Sequence, residues 1–79
     1  MYYVYIIECS DKTLYTGYTT DIDRRLEEHN SGIGAKYTRG RTPVRLVYLE
    51  EYDTVGEALK RECFIKSLPR KKKLKVIGE

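Results

Sequence analysis

YVYIIECSDKTLYTG, running from Tyr3 to Gly17, is the stretch on which the fold turns. Two apolar, β-prone runs flank the polar Ser10-Asp11-Lys12, and each run carries tyrosines. Side chains alternate across a strand, so Tyr3, Tyr5 and Ile7 share one face, as do Thr13, Tyr15 and Gly17. If Ser10, Asp11 and Lys12 form a three-residue turn, Cys9 lies opposite Thr13, Ile7 opposite Tyr15 and Tyr5 opposite Gly17. The phenols of Tyr3, Tyr5 and Tyr15 then rise from one face, over an open patch at Gly17. One residue more or less in the turn would send the two tyrosine sets to opposite faces.

Outward from the hairpin, Thr19 and Thr20 offer hydroxyls to cap a helix whose first turn holds Asp21 and Asp23. That helix is expected to run to about Asn30 and stop at Asn30-Ser31-Gly32. Its thin apolar stripe is Ile22 and Leu26, and Arg25 and His29 fall on the same side, at i+3 and i+7 from Ile22. Residues 31–43 show neither helical nor alternating periodicity and read as a long loop, either functional or a plain surface connector. Val44 to Tyr52 alternates in two interleaved apolar series, which predicts a strand buried on both faces. Asp53 or Thr54 caps a second helix, with Thr54 and Glu57 in capping-box spacing. Val55, Ala58, Leu59, Cys63 and Ile65 form its apolar stripe, and Glu62 falls on that stripe. A lone inward carboxylate is costly, so Glu62 calls for pairing, protonation or a metal. Ser67-Leu68-Pro69 ends this helix, and a short basic one follows from Arg70 to Ile77, anchored by Leu74 and Ile77 and stopped by Gly78. The order is β-β-α-β-α-α.

With 79 residues, 41% of them hydrophobic and 34% charged, the chain reads as one small globular domain over residues 1–79. The net charge of +3 is unevenly spread. Basic residues gather from Lys60 onward and again around Lys36, Arg39, Arg41 and Arg45, while acidic ones gather in 21–28 and 50–57. That separation suits a polyanionic partner. Cys9 and Cys63 read as reduced, partly buried thiols outside any zinc-ligand spacing. The absence of a leader or a membrane-length apolar run predicts a cytoplasmic protein with no membrane contact.

The odd residues are Tyr5, Tyr15, Arg25, His29 and Glu62. Phosphodiester hydrolysis needs a base for water, positive charge on the phosphate and support for the leaving oxygen, and this set contains such groups. Glu62 with waters and phosphate oxygens would suffice for Mg²⁺, which needs few protein ligands. Each residue also has a plain reading. The tyrosines can be core aromatics, Arg25 a partner of Asp21 or Glu28, His29 a C-terminal helix cap, and Glu62 a partner of Lys60 or Lys66.

Tyr3-Val4-Tyr5 and Tyr15-Thr16-Gly17, followed by an arginine-bearing helix, resemble the GIY-YIG nuclease family, most closely its small bacterial stand-alone members. The resemblance implies an α+β fold with a three-stranded antiparallel sheet flanked by helices. It implies water activation by Tyr5 or Tyr15, phosphate stabilisation by Arg25, and a site position for His29. Glu62 would hold one Mg²⁺ or Mn²⁺, with Tyr3 and Gly17 structural at the site. Two departures stand out: Tyr18 replaces a lysine found in many relatives, and no asparagine follows Glu62. The expectation is a structure-selective endonuclease acting on DNA rather than RNA, with targeting by a protein partner as an option. Lys36, Arg39, Arg41, Lys66, Arg70, Lys71, Lys72 and Lys73 would grip the backbone. The alternatives are a non-catalytic nucleic-acid-binding module with the same fold, or a protein-interaction domain.

Overall fold

The computed structural model describes residues 1–78. Its elements are β1 (Tyr2–Glu8), β2 (Leu14–Thr19), α1 (Ile22–Asn30), β3 (Arg45–Tyr52), α2 (Val55–Lys66) and α3 (Arg70–Ile77), with a short 3-10 turn at Lys36–Thr38. The strands form one antiparallel sheet in the order β2-β1-β3, the α+β arrangement expected. No helix among the described residues is long and apolar enough to cross a membrane.

The hairpin has the predicted register, with Tyr5 opposite Gly17 and Ile7 opposite Tyr15. Cys9 accepts from the Lys12 N–H at 3.0 Å and donates its own N–H to Thr13 at 2.9 Å. Lys12 takes a left-handed φ of 71°, the conformation that completes a three-residue hairpin loop. Asp11 holds the loop from inside, accepting the Thr13 N–H at 3.2 Å and the Thr13 hydroxyl at 2.6 Å.

β1 is the central strand, and Val4, Tyr5, Ile6 and Ile7 are all buried. Its even-numbered face carries Val4 and Ile6, which pack with Ala58 and Ile65 of α2 and Val76 and Ile77 of α3. On the odd-numbered face, Tyr5 and Ile7 pack with Val44 and with Ile22 and Leu26 of α1. The sheet is thus covered by α1 on one side and by α2 and α3 on the other. Each buried aliphatic side chain contributes about 1.5–3 kcal/mol relative to exposure.

Several local expectations are corrected. β3 is an edge strand with no fully buried residue, and Leu49 is exposed. The ladder to β1 slips between Ile6, opposite Tyr48, and Ile7, opposite Leu46, leaving Val47 unpaired. Val47 and Tyr48 consequently pack on the same face, so a bulge, not double burial, produced the interleaved apolar series. The cap of α1 is Asp21, which accepts the Arg24 N–H at 3.1 Å, while the Thr19 hydroxyl accepts the Asp21 N–H at 3.1 Å. Thr54 caps α2 as predicted, accepting the Glu57 N–H at 3.2 Å. Along α2 only Ala58 and Ile65 are buried, and Val55, Leu59 and Cys63 are exposed. The helix rests on the sheet along a narrow strip, with nothing packed over its flank.

Candidate active site

The site is assembled around the Tyr5 hydroxyl. Central-strand placement buries the ring and points it to the α1 side of the sheet. One turn apart on the inner face of α1, Arg25 and His29 both reach that hydroxyl. His29 Nε2 lies 2.9 Å from it, and Arg25 Nε donates to it at 3.4 Å.

The direction of the Tyr5–His29 bond follows from a residue that sequence reading missed. Thr38, fully buried in the 3-10 turn, donates its hydroxyl hydrogen to the Ala35 carbonyl at 2.9 Å. Its oxygen therefore accepts at the 2.8 Å contact with His29 Nδ1. Nδ1 carries the hydrogen, and in the neutral ring Nε2 is left as an acceptor. Tyr5 thus donates to His29 while accepting from Arg25. The imidazole is fully buried, and burial, reinforced by the Arg25 charge and opposed by Glu28, pushes its pKa below the ordinary value. His29 is a neutral base, not a charged helix cap.

Burial also raises the Tyr5 phenol above its ordinary value, opposed by the Arg25 hydrogen bond and charge and reinforced by Tyr15 and Glu62. Burial disfavours the Arg25 charge, but Tyr5 and Glu28 outweigh it and hold the guanidinium protonated. The plain reading of Arg25 is also realised, since its Nη1 pairs with Glu28 at 3.1 Å. One guanidinium serves both contacts.

Two glycines make room for this group. A Cβ on Gly17 would stand 2.6 Å from the Tyr5 hydroxyl and 3.2 Å from the Tyr15 ring, so the lack of a side chain there lets the phenol pack directly against β2. A Cβ on Gly34 would meet His29 Nδ1 at 2.5 Å. The loop backbone therefore lies directly against the imidazole and helps to bury it. Asn30 ties down the far end of that loop, accepting the Val44 N–H at 2.8 Å and donating to the Val44 carbonyl at 3.3 Å.

Tyr15 joins the group by its ring, edge-on to His29 at 5.5 Å between centroids and stacked on Tyr37 at 5.8 Å. Its hydroxyl makes no hydrogen bond to another described residue. Tyr37 extends the aromatic row outward, with the Arg41 guanidinium 4.5 Å from its ring. Tyr3 lies further along the same strand face, half-buried and opposite Thr19, outside the hydrogen-bonded group.

Glu62 reaches the site from α2. Its side chain is 15% exposed, and Lys66 Nζ sits 3.6 Å from the carboxylate and 5.9 Å from the Tyr15 ring centroid. The ion pair with Lys66, disfavoured by the apolar stripe, does form, because α2 turns Glu62 and Lys66 together toward the Tyr15 edge of the sheet. Among the described residues no three His, Cys, Asp or Glu side chains cluster as a metal cage. A half-buried single carboxylate whose one counter-charge is an exposed lysine still fits Mg²⁺, which retains waters and takes substrate oxygens.

The predicted backbone-binding residues divide. Lys36, Arg39, Lys71 and Lys72 are exposed. Arg41 is tied to Asp11 and to the Tyr37 carbonyl, and Arg70 donates to the Lys12 carbonyl at 2.6 Å. Arg70 and Lys73 flank Tyr37 across a small pocket, which brings the basic start of α3 to the edge of the aromatic row.

Residues 1–75 match the GIY-YIG catalytic domain. Over 78 residues the chain is 63% identical to a UPF0213 protein of Haloquadratum walsbyi, covering 99% of this chain and 88% of the relative. A UPF0213 protein of Staphylococcus saprophyticus is 58% identical, covering 99% and 95%. The solution NMR structure of the UPF0213 protein BH0048 from Bacillus halodurans superimposes with a TM-score of 0.64 at 52% identity, covering 98% of this chain and 83% of that one. That of the E. faecalis protein EF2693 gives 0.66 at 46% identity, covering 96% and 81%.

Proposed function

This chain belongs to the GIY-YIG nuclease family, and on that premise we propose that it is a divalent-metal-dependent endonuclease that hydrolyses DNA phosphodiesters by structure rather than sequence. One observation carries the reading: Tyr5 donates to a neutral His29 while accepting from Arg25. As water attacks phosphorus and the P–O bond to the leaving strand breaks, the water proton passes to the Tyr5 oxygen, the phenol proton passes to His29 Nε2, and the leaving sugar oxygen takes its proton from solvent. The phenol never has to exist as a free phenolate, which near pH 7 would be about one molecule in a thousand even in water. Arg25 places its charge on the phosphate oxygens, and the free Tyr15 hydroxyl orients them. Glu62 would hold one Mg²⁺ or Mn²⁺, which supplies Lewis-acid stabilisation of the phosphate charge. The base is Tyr5 rather than Tyr15, because among the described residues Tyr5 has a proton acceptor and Tyr15 has none.

The test is purified protein with Mg²⁺ or Mn²⁺ on branched, single-stranded and duplex DNA. Cleavage that falls in Tyr5→Phe and His29→Ala supports the relay, and full activity in both variants sinks it. The Lys66–Glu62 pair favours a second reading, a nucleic-acid-binding module that uses no metal. That reading predicts salt-sensitive binding unchanged in Glu62→Ala and in chelator, with no cleavage of any substrate.

A further inference from the structure

A pocket of about 210 Å³ opens beside the aromatic row, lined by Thr13 and Leu14 of the hairpin, Tyr37 of the 3-10 turn, and Arg70 and Lys73 of α3. Three separate parts of the chain meet here, and their chemistry is mixed. Leu14 and Tyr37 supply an aliphatic and an aromatic wall, Thr13 a hydroxyl, and Arg70 and Lys73 two cations. Tyr37 is stacked on Tyr15 and has the Arg41 guanidinium 4.5 Å from its ring. Arg70 spends one of its five N–H donors on the Lys12 carbonyl. Neither Arg70 nor Lys73 pairs with a carboxylate among the described residues. The volume is below the 300–1,000 Å³ or so of pockets for drug-sized ligands, and suits a single planar ring with a phosphate at its rim.

We propose that this pocket binds one unpaired nucleotide of a DNA strand, its base against Tyr37 and Leu14 and its phosphate on Arg70 and Lys73. The placement deepens the nuclease reading and rests on it in one respect, that the adjoining phosphate lies at Tyr5 and Arg25. Tyr37 lines the pocket and stacks on Tyr15, whose ring lies edge-on to His29, so one aromatic row links the two positions. A base can enter only if it is out of a duplex stack, so the pocket selects single strands, flaps or frayed ends. Contact through ring faces and walls, without a built set of donors and acceptors, is tolerant of base identity.

The experiment measures binding in chelator, where cleavage does not intervene. An oligothymidine strand, a fully abasic strand of equal length and a blunt duplex are compared by fluorescence anisotropy. Loss of the base is expected to weaken binding roughly 5- to 150-fold, the range for one stacked base, and the duplex should bind like the abasic strand. A strand carrying 2-aminopurine should change fluorescence on binding. Thr13→Trp, which fills the pocket, should abolish the preference for bases while the folded protein still binds both strands, and Lys73→Ala should weaken both. Equal affinity for base-bearing and abasic strands overturns the proposal in the wild-type protein alone, as does failure to bind any strand. Base-dependent binding without cleavage under any metal breaks the nuclease reading and leaves the pocket assignment standing. Cleavage with no base preference does the reverse.

Discussion

The protein contains two tyrosine- and arginine-bearing polar networks on opposite faces of one sheet. On the α1 face, Tyr5 meets His29, Thr38 and Arg25. On the α2 face, Tyr52 donates to Glu50 at 2.7 Å, Tyr48 donates to the same carboxylate, and Arg61 grips it through Nε at 2.9 Å and Nη2 at 3.2 Å. Tyrosine and arginine are common to both, and the acceptor differs. Burial opposes the Glu50 charge, but Arg61 and the two phenols outweigh it and hold the carboxylate ionised below its ordinary range. Burial and the Glu50 bond push Tyr52 up to about 12, and the Glu50 bond raises Tyr48. Every group there is locked in one protonation state. His29 is neutral and still basic, so the phenol that donates to it has somewhere to send a proton. The second network ties β3 to α2, and the first can carry a proton.

That contrast is broken or sharpened by substitution. The largest effect is expected at the proton path: Tyr5→Phe or His29→Ala should lower single-turnover cleavage by about 10²- to 10⁴-fold, the usual value of a general base. Tyr48→Phe should leave cleavage within a fewfold of wild type. Equal losses at Tyr5 and Tyr48 would erase the distinction.

Next comes Gly17→Ala, whose Cβ must displace the Tyr5 hydroxyl. Overpacking of this kind costs about 1–3 kcal/mol, read by denaturant melts, and cleavage should fall further than stability does because the displaced atom is the one that takes the water proton in the proposed mechanism. Arg61→Ala should then destabilise the fold by about 1–3 kcal/mol, because it strips a half-buried carboxylate of its bidentate partner. Cleavage by the remaining folded protein should persist.

The smallest effect is in pH dependence. The folded pKa of His29 lies below its ordinary 6.5, so between those values the unfolded chain binds more protons. Stability should be fully present above pH 6.5 and decline as pH falls through that window. His29→Gln should flatten the decline, as read in thermal melts across pH. The rate should follow the same group: its half-maximal point should lie below pH 6.5, where a free imidazole is half protonated, with cleavage lost on further acidification.

Much of this was legible in the sequence, for identifiable reasons. Hairpin parity followed from counting a three-residue turn between two alternating runs. Arg25 and His29 were placed by helical spacing on the stripe of Ile22 and Leu26, and Glu62 by its interruption of another stripe. What could not be read lay where no period exists. Thr38, Gly34 and Tyr37 come from residues 31–43, which show neither helical nor alternating periodicity. The Val47 bulge was invisible because an extra residue mimics a two-faced apolar strand. Glu50 and Arg61 are 11 residues apart on different elements, and nothing local joins them. Cys63 and Leu59 kept helical spacing yet stayed exposed, because α2 had no second surface to bury them against.

By itself, the sequence determined which face the side chains of the hairpin and of α1 occupy, since strand and helix periods are properties of the backbone. Only the tertiary structure decided what the Tyr5 hydroxyl does. Its proton direction depends on a His29 tautomer, which depends on Thr38, which depends on where a loop without periodicity comes to rest. A hydrogen bond is set by tenths of an ångström and by a donor's other commitments. Those are settled when α1, the loop and the sheet close on one another, and no spacing along the chain encodes them.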